Sequence, residues 1–179
     1  MSHGQGEKAI LNWQIAKANI EEVFTKKGIR VFCYNDITNN PCVADNQLRY
    51  VVKDYPFTSI YENKSCIDFM LYDRCLKKSY CIISKSQESS GSASRKLPYV
   101  FFNAKSQFPE GDIIFILEGE GFEKGARNWF QKEINDFNSQ HQYQMHLMNI
   151  EQFKMVLIKN RCDLKSWNFQ ITLIWTVLQ

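Results

Sequence analysis

Asp68 and Lys85 lie on two successive strand-like segments and are of the types needed for phosphodiester hydrolysis. A carboxylate can hold a hard cation such as Mg²⁺, which polarises a phosphodiester and lowers the pKa of a bound water. A lysine close by would reach the attacking water or a phosphate oxygen. A second carboxylate two positions before the lysine would share its face of the strand and complete a pair of metal ligands. That position is Ile83, which cannot bind a cation.

Strand geometry predicts how these side chains meet. Side chains alternate along a strand, so Ile83 and Lys85 share one face of the second strand, and Asp68 shares a face of the first with Met70 and Tyr72. In a suitable register Asp68 and Ile83 become cross-strand neighbours about 5 Å apart. Carboxylates at this spacing are common, so from these residues alone an ordinary hairpin explains the pattern as well.

A longer pattern around the hairpin resembles the core of the PD-(D/E)XK nuclease superfamily, which includes many restriction endonucleases. The matching stretches are "IDF" at 67–69, "ISKSQ" at 83–87, "SGSASRKLPY" at 90–99 with Asn103, and "ILEGEGFEKGARNWF" at 116–130. The resemblance implies a DNA-acting protein with Mg²⁺ as cofactor. It places Asp68 at the first metal-ligand position, Lys85 at the catalytic lysine and Gln87 at the polar position after it.

The sequence departs from the family pattern where the family has acids. Ile83 stands at the second carboxylate, and Ser94 and Arg95 replace an acidic pair, while Lys96 remains. These changes weaken a metal site and favour phosphate. Glu62 is the acid that we would nominate as a displaced ligand; otherwise it is a solvated charge.

A second group of residues could bind phosphate without a metal. Ser92, Arg95 and Lys96, together with Lys85 and Gln87, could line a groove that holds phosphate through backbone N–H groups and cations. A flexible surface loop explains the same residues almost as well.

The elements that position these residues predict an α/β fold, with a central mixed β-sheet flanked by helices, restriction-endonuclease-like. We predict a helix over 7–27, the hairpin near 66–73 and 79–85, a polar loop over 86–95 and a nuclease-like core over about 50–160. Alternating apolar residues predict a C-terminal strand over 166–178. No linker divides the chain, so we expect a single domain over 1–179.

Composition leaves the partner open. A net charge of +3 permits a nucleic-acid partner without requiring one. The six cysteines lack zinc-ligand spacing, and we expect buried, reduced thiols in an intracellular protein, cytoplasmic or nuclear. No apolar run is long enough to span a membrane, and the N-terminus has no signal-peptide core.

Three hypotheses follow. The first is a nuclease-fold DNA-binding protein, or a subunit of a DNA-acting complex, with hydrolysis impaired or lost. The second is an active Mg²⁺-dependent endonuclease that uses Asp68, Lys85 and a displaced acid such as Glu62. The third is a structural subunit without nucleic-acid binding, which contacts a protein partner or a second copy through the C-terminal strand.

Overall fold

A computed structural model describes residues 5–88 and 93–159 of the chain. Its centre is a six-stranded sheet in which the strands lie side by side in chain order. The strands are β1 (Arg30–Cys33), β2 (Arg49–Thr58), β3 (Lys64–Asp73), β4 (Lys78–Ser86), β5 (Asp112–Glu118) and β6 (Met145–Met148). The α-helices are α1 (Gln5–Lys26), α2 (Tyr34–Asn39), α3 (Ala93–Gln107), α4 (Lys124–Asn138) and α5 (Ile150–Lys159), and a short 3₁₀ helix covers Pro41–Ala44.

The sheet is mixed. The hairpin strands β2, β3 and β4 run antiparallel to one another, whereas β1 pairs with β2, β4 with β5, and β5 with β6 in parallel. Helices α3 and α4 make the crossovers that parallel neighbours require. The predicted fold class, a mixed sheet flanked by helices, is confirmed.

Two apolar clusters cover the two faces of the sheet. The first cluster packs β4 and β5 against α3 and α4, through side chains that include Ile83, Leu97, Phe101, Phe115 and Phe130. The second cluster packs the opposite face against α1 and α5, through side chains that include Phe24, Phe69, Ile82, Ile114 and Phe153. Strands β3 and β4, which carry Asp68, Ile83 and Lys85, are therefore covered on both faces.

Several local predictions can be compared with this architecture. The helix predicted over 7–27 corresponds to α1, and the hairpin strands are slightly longer than expected. The loop predicted over 86–95 ends too late, because α3 already begins at Ala93. The C-terminal strand predicted over 166–178 lies outside the described residues, and a single domain over 1–179 stays a prediction.

The cysteines differ from expectation in their exposure. The five described cysteines are free, but Cys33, Cys42, Cys66 and Cys75 are exposed, and among these five only Cys81 is buried. Burial raises the pKa of the Cys81 thiol to about 12. The expectation of buried thiols was wrong for the four others, which lie at the surface: Cys33 ends β1, Cys42 is in the 3₁₀ helix, Cys66 is near the start of β3 and Cys75 is in the turn after β3. Among the described residues, no helix combines the length and apolar character needed to cross a membrane.

Candidate functional site

Asp68 lies where the β3–β4 ladder stops. Phe69 and Ile82 are the last paired residues of the ladder at this end, so its continuation would place Asp68 opposite Ile83. Instead, Oδ2 of Asp68 accepts hydrogen bonds from the backbone N–H of Ser84 at 2.6 Å and from its hydroxyl at 2.9 Å. The carboxylate, only 2% exposed, therefore joins the two strands where the ladder of backbone bonds ends.

The regular alternation of β3 is interrupted at Asp68. Ile67 and Met70 belong to the first apolar cluster, whereas Phe69 between them belongs to the second. On the adjacent strand, Asp54 stands opposite Asp68 in the register and has a φ of 57°, a left-handed conformation that breaks the pleat. The prediction that Asp68 shares a face with Met70 was therefore wrong. Its carboxylate lies on the α1 side of the sheet.

A lysine of α1 provides the positive charge beside Asp68. The Lys17 ammonium lies 3.8 Å from Oδ1 of Asp68 and 2.5 Å from Oδ1 of Asp54. It also lies 4.6 Å from the centre of the Trp13 ring. A side-chain ammonium thus lies between two carboxylates, the position that a bound cation would need.

Sequence reasoning missed Lys17 and Asp54 because neither belongs to a motif. The one signal was an aspartate inside an apolar segment that proved to be β2, since aspartate is depleted in strands and favours irregular backbone. Nothing in the sequence paired that aspartate with a lysine 37 residues earlier.

Ile83 and Lys85 project from the other face of the sheet. Ile83 is 5% exposed and belongs to the first apolar cluster, with Phe115 as its partner on β5. Lys85, two residues further along β4 and half-buried, is paired with Leu117 of the same cluster. Because alternate residues share a face, Lys85 starts on the α3–α4 side, away from the Asp68 carboxylate.

The β4 residues on the Asp68 side are serines. Ser84 binds Asp68 directly, and Ser84, Ser86 and Glu88 line a half-open cavity of about 160 Å³ between α1 and the sheet. On the face that carries the Asp68 carboxylate, β4 therefore presents the hydroxyls of Ser84 and Ser86. A metal-dependent hydrolase would need a carboxylate and a lysine on this face.

Gln87 and Ser94 hold the surrounding backbone together. The Gln87 amide donates to the carbonyl of Gly121 at 3.0 Å, and its backbone N–H donates to the carbonyl of Glu118 at 2.9 Å. The Ser94 hydroxyl, buried at the start of α3, accepts from the Glu123 N–H just before α4. Both residues connect elements on the α3–α4 side of the sheet.

The remaining predicted residues are dispersed. Arg95 and Lys96 are exposed in the first turn of α3, and Ser92 lies outside the described residues. Glu62 is exposed, with a φ of 60°, in the turn before β3. From the start of β3 at Lys64 to Asp68 alone, the extended chain covers about 13 Å. The structure therefore does not bring Glu62 to Asp68.

These donors do not fit a magnesium site. Mg²⁺ is held by one or two carboxylates with free oxygens, together with water and phosphate. Here Oδ2 of Asp68 already accepts two hydrogen bonds and Oδ1 faces Lys17. Within the described ranges no three His, Cys, Asp or Glu side chains are grouped suitably for a metal ion. Partial desolvation raises the pKa of the Cys66 thiol, although its side chain reaches the surface, which disfavours the thiolate that binds metals.

Comparison with known proteins gives one match. A family model described as "PD-(D/E)XK nuclease superfamily domain" matches residues 11–161, which is most of the chain. No curated protein and no solved structure matches. The matched range runs from α1 to just beyond α5 and contains the Asp68 site.

Proposed function

Because the chain belongs to the PD-(D/E)XK nuclease superfamily, we propose that it is a DNA-binding protein, or a subunit of a DNA-acting complex, with phosphodiester hydrolysis impaired or lost. One observation carries the loss of hydrolysis: both carboxylate oxygens of Asp68 already have protein partners, Ser84 and Lys17.

The energetics of Asp68 support this reading. A buried carboxylate is stable only when it is paired and hydrogen-bonded. A metal ion would have to displace the Lys17 ammonium and compete with two hydrogen bonds from Ser84. It would gain no second ligand from Ile83, which is packed in the apolar core.

The charge of α3 supports DNA binding. The helix sequence, ASRKLPYVFFNAKSQ, contains three cations and no acid. Arg95 and Lys96 occupy its first turn, where the helix dipole disfavours positive charge. An anion such as a DNA phosphate would be attracted both by these cations and by the helix N-terminus.

Salt-dependent DNA binding tests the DNA-binding half of the proposal. We expect Arg95→Ala and Lys96→Ala each to weaken duplex binding and to reduce the slope of log K against log salt by about one. Lys132→Ala, which removes an exposed lysine of α4, is the matched control and should bind like the wild type. Absence of binding at low salt would defeat the proposal.

A cleavage assay tests the second half of the proposal, that phosphodiester hydrolysis is impaired or lost. We expect the protein to leave supercoiled DNA intact in the presence of Mg²⁺. Mg²⁺-dependent cleavage that disappears in Asp68→Ala would instead identify an active enzyme.

One observation favours that second candidate, an active Mg²⁺-dependent endonuclease. Asp54 shares Lys17 with Asp68, so movement of Lys17 would leave two carboxylates near each other. This candidate requires cleavage that is lost in both Asp54→Asn and Asp68→Asn. It would use Asp54 rather than Glu62 as the additional acid.

A further inference from the structure

Helix α3 presents aromatic rings between its cations. Tyr99 follows Arg95 by four residues and Phe102 follows Tyr99 by three, so these three side chains lie along one side of the helix. Lys96 and Lys105 lie on the two flanks of this stripe. Phe102 is 48% exposed, an unusual state for a phenylalanine. This stripe is unlike the buried face of α3, which carries Leu97 and Phe101.

A third ring extends the stripe from the neighbouring turn. Tyr61, 68% exposed, stacks on Tyr99 with ring centres 5.2 Å apart and planes 19° from parallel. The buried Asn103 fixes this arrangement. Its carbonyl oxygen accepts from the Ile60 N–H at 2.9 Å, and its amide donates to the Tyr99 carbonyl at 2.7 Å.

The turn itself is braced from within. The Ser59 hydroxyl accepts hydrogen bonds from the N–H groups of Tyr61 and Asn63 at 3.3 and 3.2 Å. The exposed rings are therefore held in place before any ligand arrives, which reduces the entropy lost on binding.

The charges around the rings favour a polyanion. Arg95 lies at the N-terminal end of the stripe, Lys96 and Lys105 lie on its two flanks, and Lys64 follows the turn. Glu62 is the acid next to Tyr61. Cations thus outnumber acids among these residues, as expected for a surface that contacts phosphates.

We propose that Tyr61, Tyr99 and Phe102 stack against unpaired bases of single-stranded DNA, while Arg95 and Lys96 bind its phosphates. This inference rests on the proposed DNA-binding function and names its substrate class. Exposed rings flanked by cations are the arrangement that binds single strands without sequence preference. A duplex keeps its base faces stacked inside and cannot use the rings in this way.

Two oligonucleotides of equal length separate stacking from charge: a labelled single-stranded oligothymidylate and its abasic counterpart. Both carry the same phosphates, but only the first carries bases. We expect the wild type to bind the oligothymidylate at least about fivefold more tightly, which corresponds to stacking of one base. Fluorescence anisotropy at a fixed salt concentration would measure the two dissociation constants.

Substitutions of single residues show which side chains produce the preference for oligothymidylate over the abasic oligonucleotide. Tyr61→Ala and Phe102→Ala should each lower affinity for the oligothymidylate severalfold and leave abasic binding unchanged, whereas Tyr61→Phe should keep the preference. Tyr143→Ala removes a partly exposed ring that binds Glu110 and serves as the matched control. Lys96→Ala should weaken binding of both oligonucleotides equally.

The outcomes distinguish this inference from the proposed function. Equal wild-type affinity for the two oligonucleotides, or unchanged binding in Tyr61→Ala and Phe102→Ala, would overturn the stacking surface while duplex binding persists. If the wild type binds neither oligonucleotide nor duplex, the proposed function fails too, and the exposed rings must serve a partner other than DNA.

Discussion

At the scale of single residues, the partners of the Asp68 oxygens decide the chemistry of this site. The sequence suggested a solitary acid that faces Ile83, whereas the carboxylate binds Ser84 and lies beside Lys17. Such an acid satisfies the backbone where two strands part. We therefore propose a structural role for Asp68, and under this proposal nuclease activity would require more than one added carboxylate.

Ile83→Glu tests that reading. We expect this variant to lose more than about 2 kcal/mol of unfolding free energy, because it would bury an unpaired carboxylate. It should show no Mg²⁺-dependent cleavage, since position 83 points into the α3–α4 core. Ile83→Val, which only removes one methyl group, should cost about 1 kcal/mol; urea titration of both variants measures the free energy of unfolding. A stable, DNA-cleaving Ile83→Glu protein would contradict the assigned face.

Lys17→Met tests the role of the internal cation. Removing the ammonium leaves the buried Asp68 without its nearest positive charge, so we expect a loss of about 2 kcal/mol or more. Lys26→Met, at a lysine of the same helix with 70% side-chain exposure, should change stability by less than about 0.5 kcal/mol. Equal effects of the two substitutions would show that Lys17 does not stabilise Asp68.

At the scale of elements, the sequence patterns predicted helix α1 and the hairpin strands β3 and β4. The apolar run "DIIFILEG" contains β5, and Asn149 and Gln152 form a capping box at the start of α5, with both reciprocal hydrogen bonds at 2.8 Å. The faces of β3 could not be predicted in this way. Alternation holds only while the pleat is regular, and the left-handed Asp54 on β2 interrupts it.

The turn between β5 and α4 offers a paired glycine test. Gly119 has a φ of 89°, and a Cβ there would lie 2.3 Å from the Gln87 carbonyl oxygen, so we expect Gly119→Ala to be strongly destabilising. A Cβ at Gly125, inside α4, would meet nothing within 4 Å. Gly125→Ala should therefore stabilise by up to about 1 kcal/mol. Thermal unfolding of both variants checks the contrast, and a tolerated Gly119→Ala would refute the close approach.

At the scale of the whole molecule, protonation of His146 on β6 should change the free energy of unfolding. Burial lowers the pKa of His146 to about 4 from 6.5, although Asp112 partly opposes the shift. The unfolded chain therefore binds a proton more readily than the folded one between these values. Stability should fall as pH decreases from about 6.5 to 4, by up to about 3 kcal/mol, and this contribution should level off below pH 4.

The matched variant for this prediction is His146→Gln, which removes the titrating group. Urea titrations between pH 7 and pH 4 should give a shallower pH dependence for the variant, because the acids common to both proteins contribute equally. Parallel curves for the two proteins would contradict the depressed pKa.

The molecule as a whole thus combines a nuclease-superfamily fold with an acid that is committed to internal contacts. Urea unfolding of the wild type and Asp68→Ala, each with and without millimolar Mg²⁺, tests this claim most directly. We predict that Asp68→Ala loses about 3 kcal/mol, since it leaves the buried Ser84 donors without their acceptor and removes one of the two carboxylates beside Lys17. We also predict that Mg²⁺ stabilises neither protein. A wild type stabilised by Mg²⁺, together with an Asp68→Ala variant that is as stable as the metal-free wild type and indifferent to Mg²⁺, would contradict it.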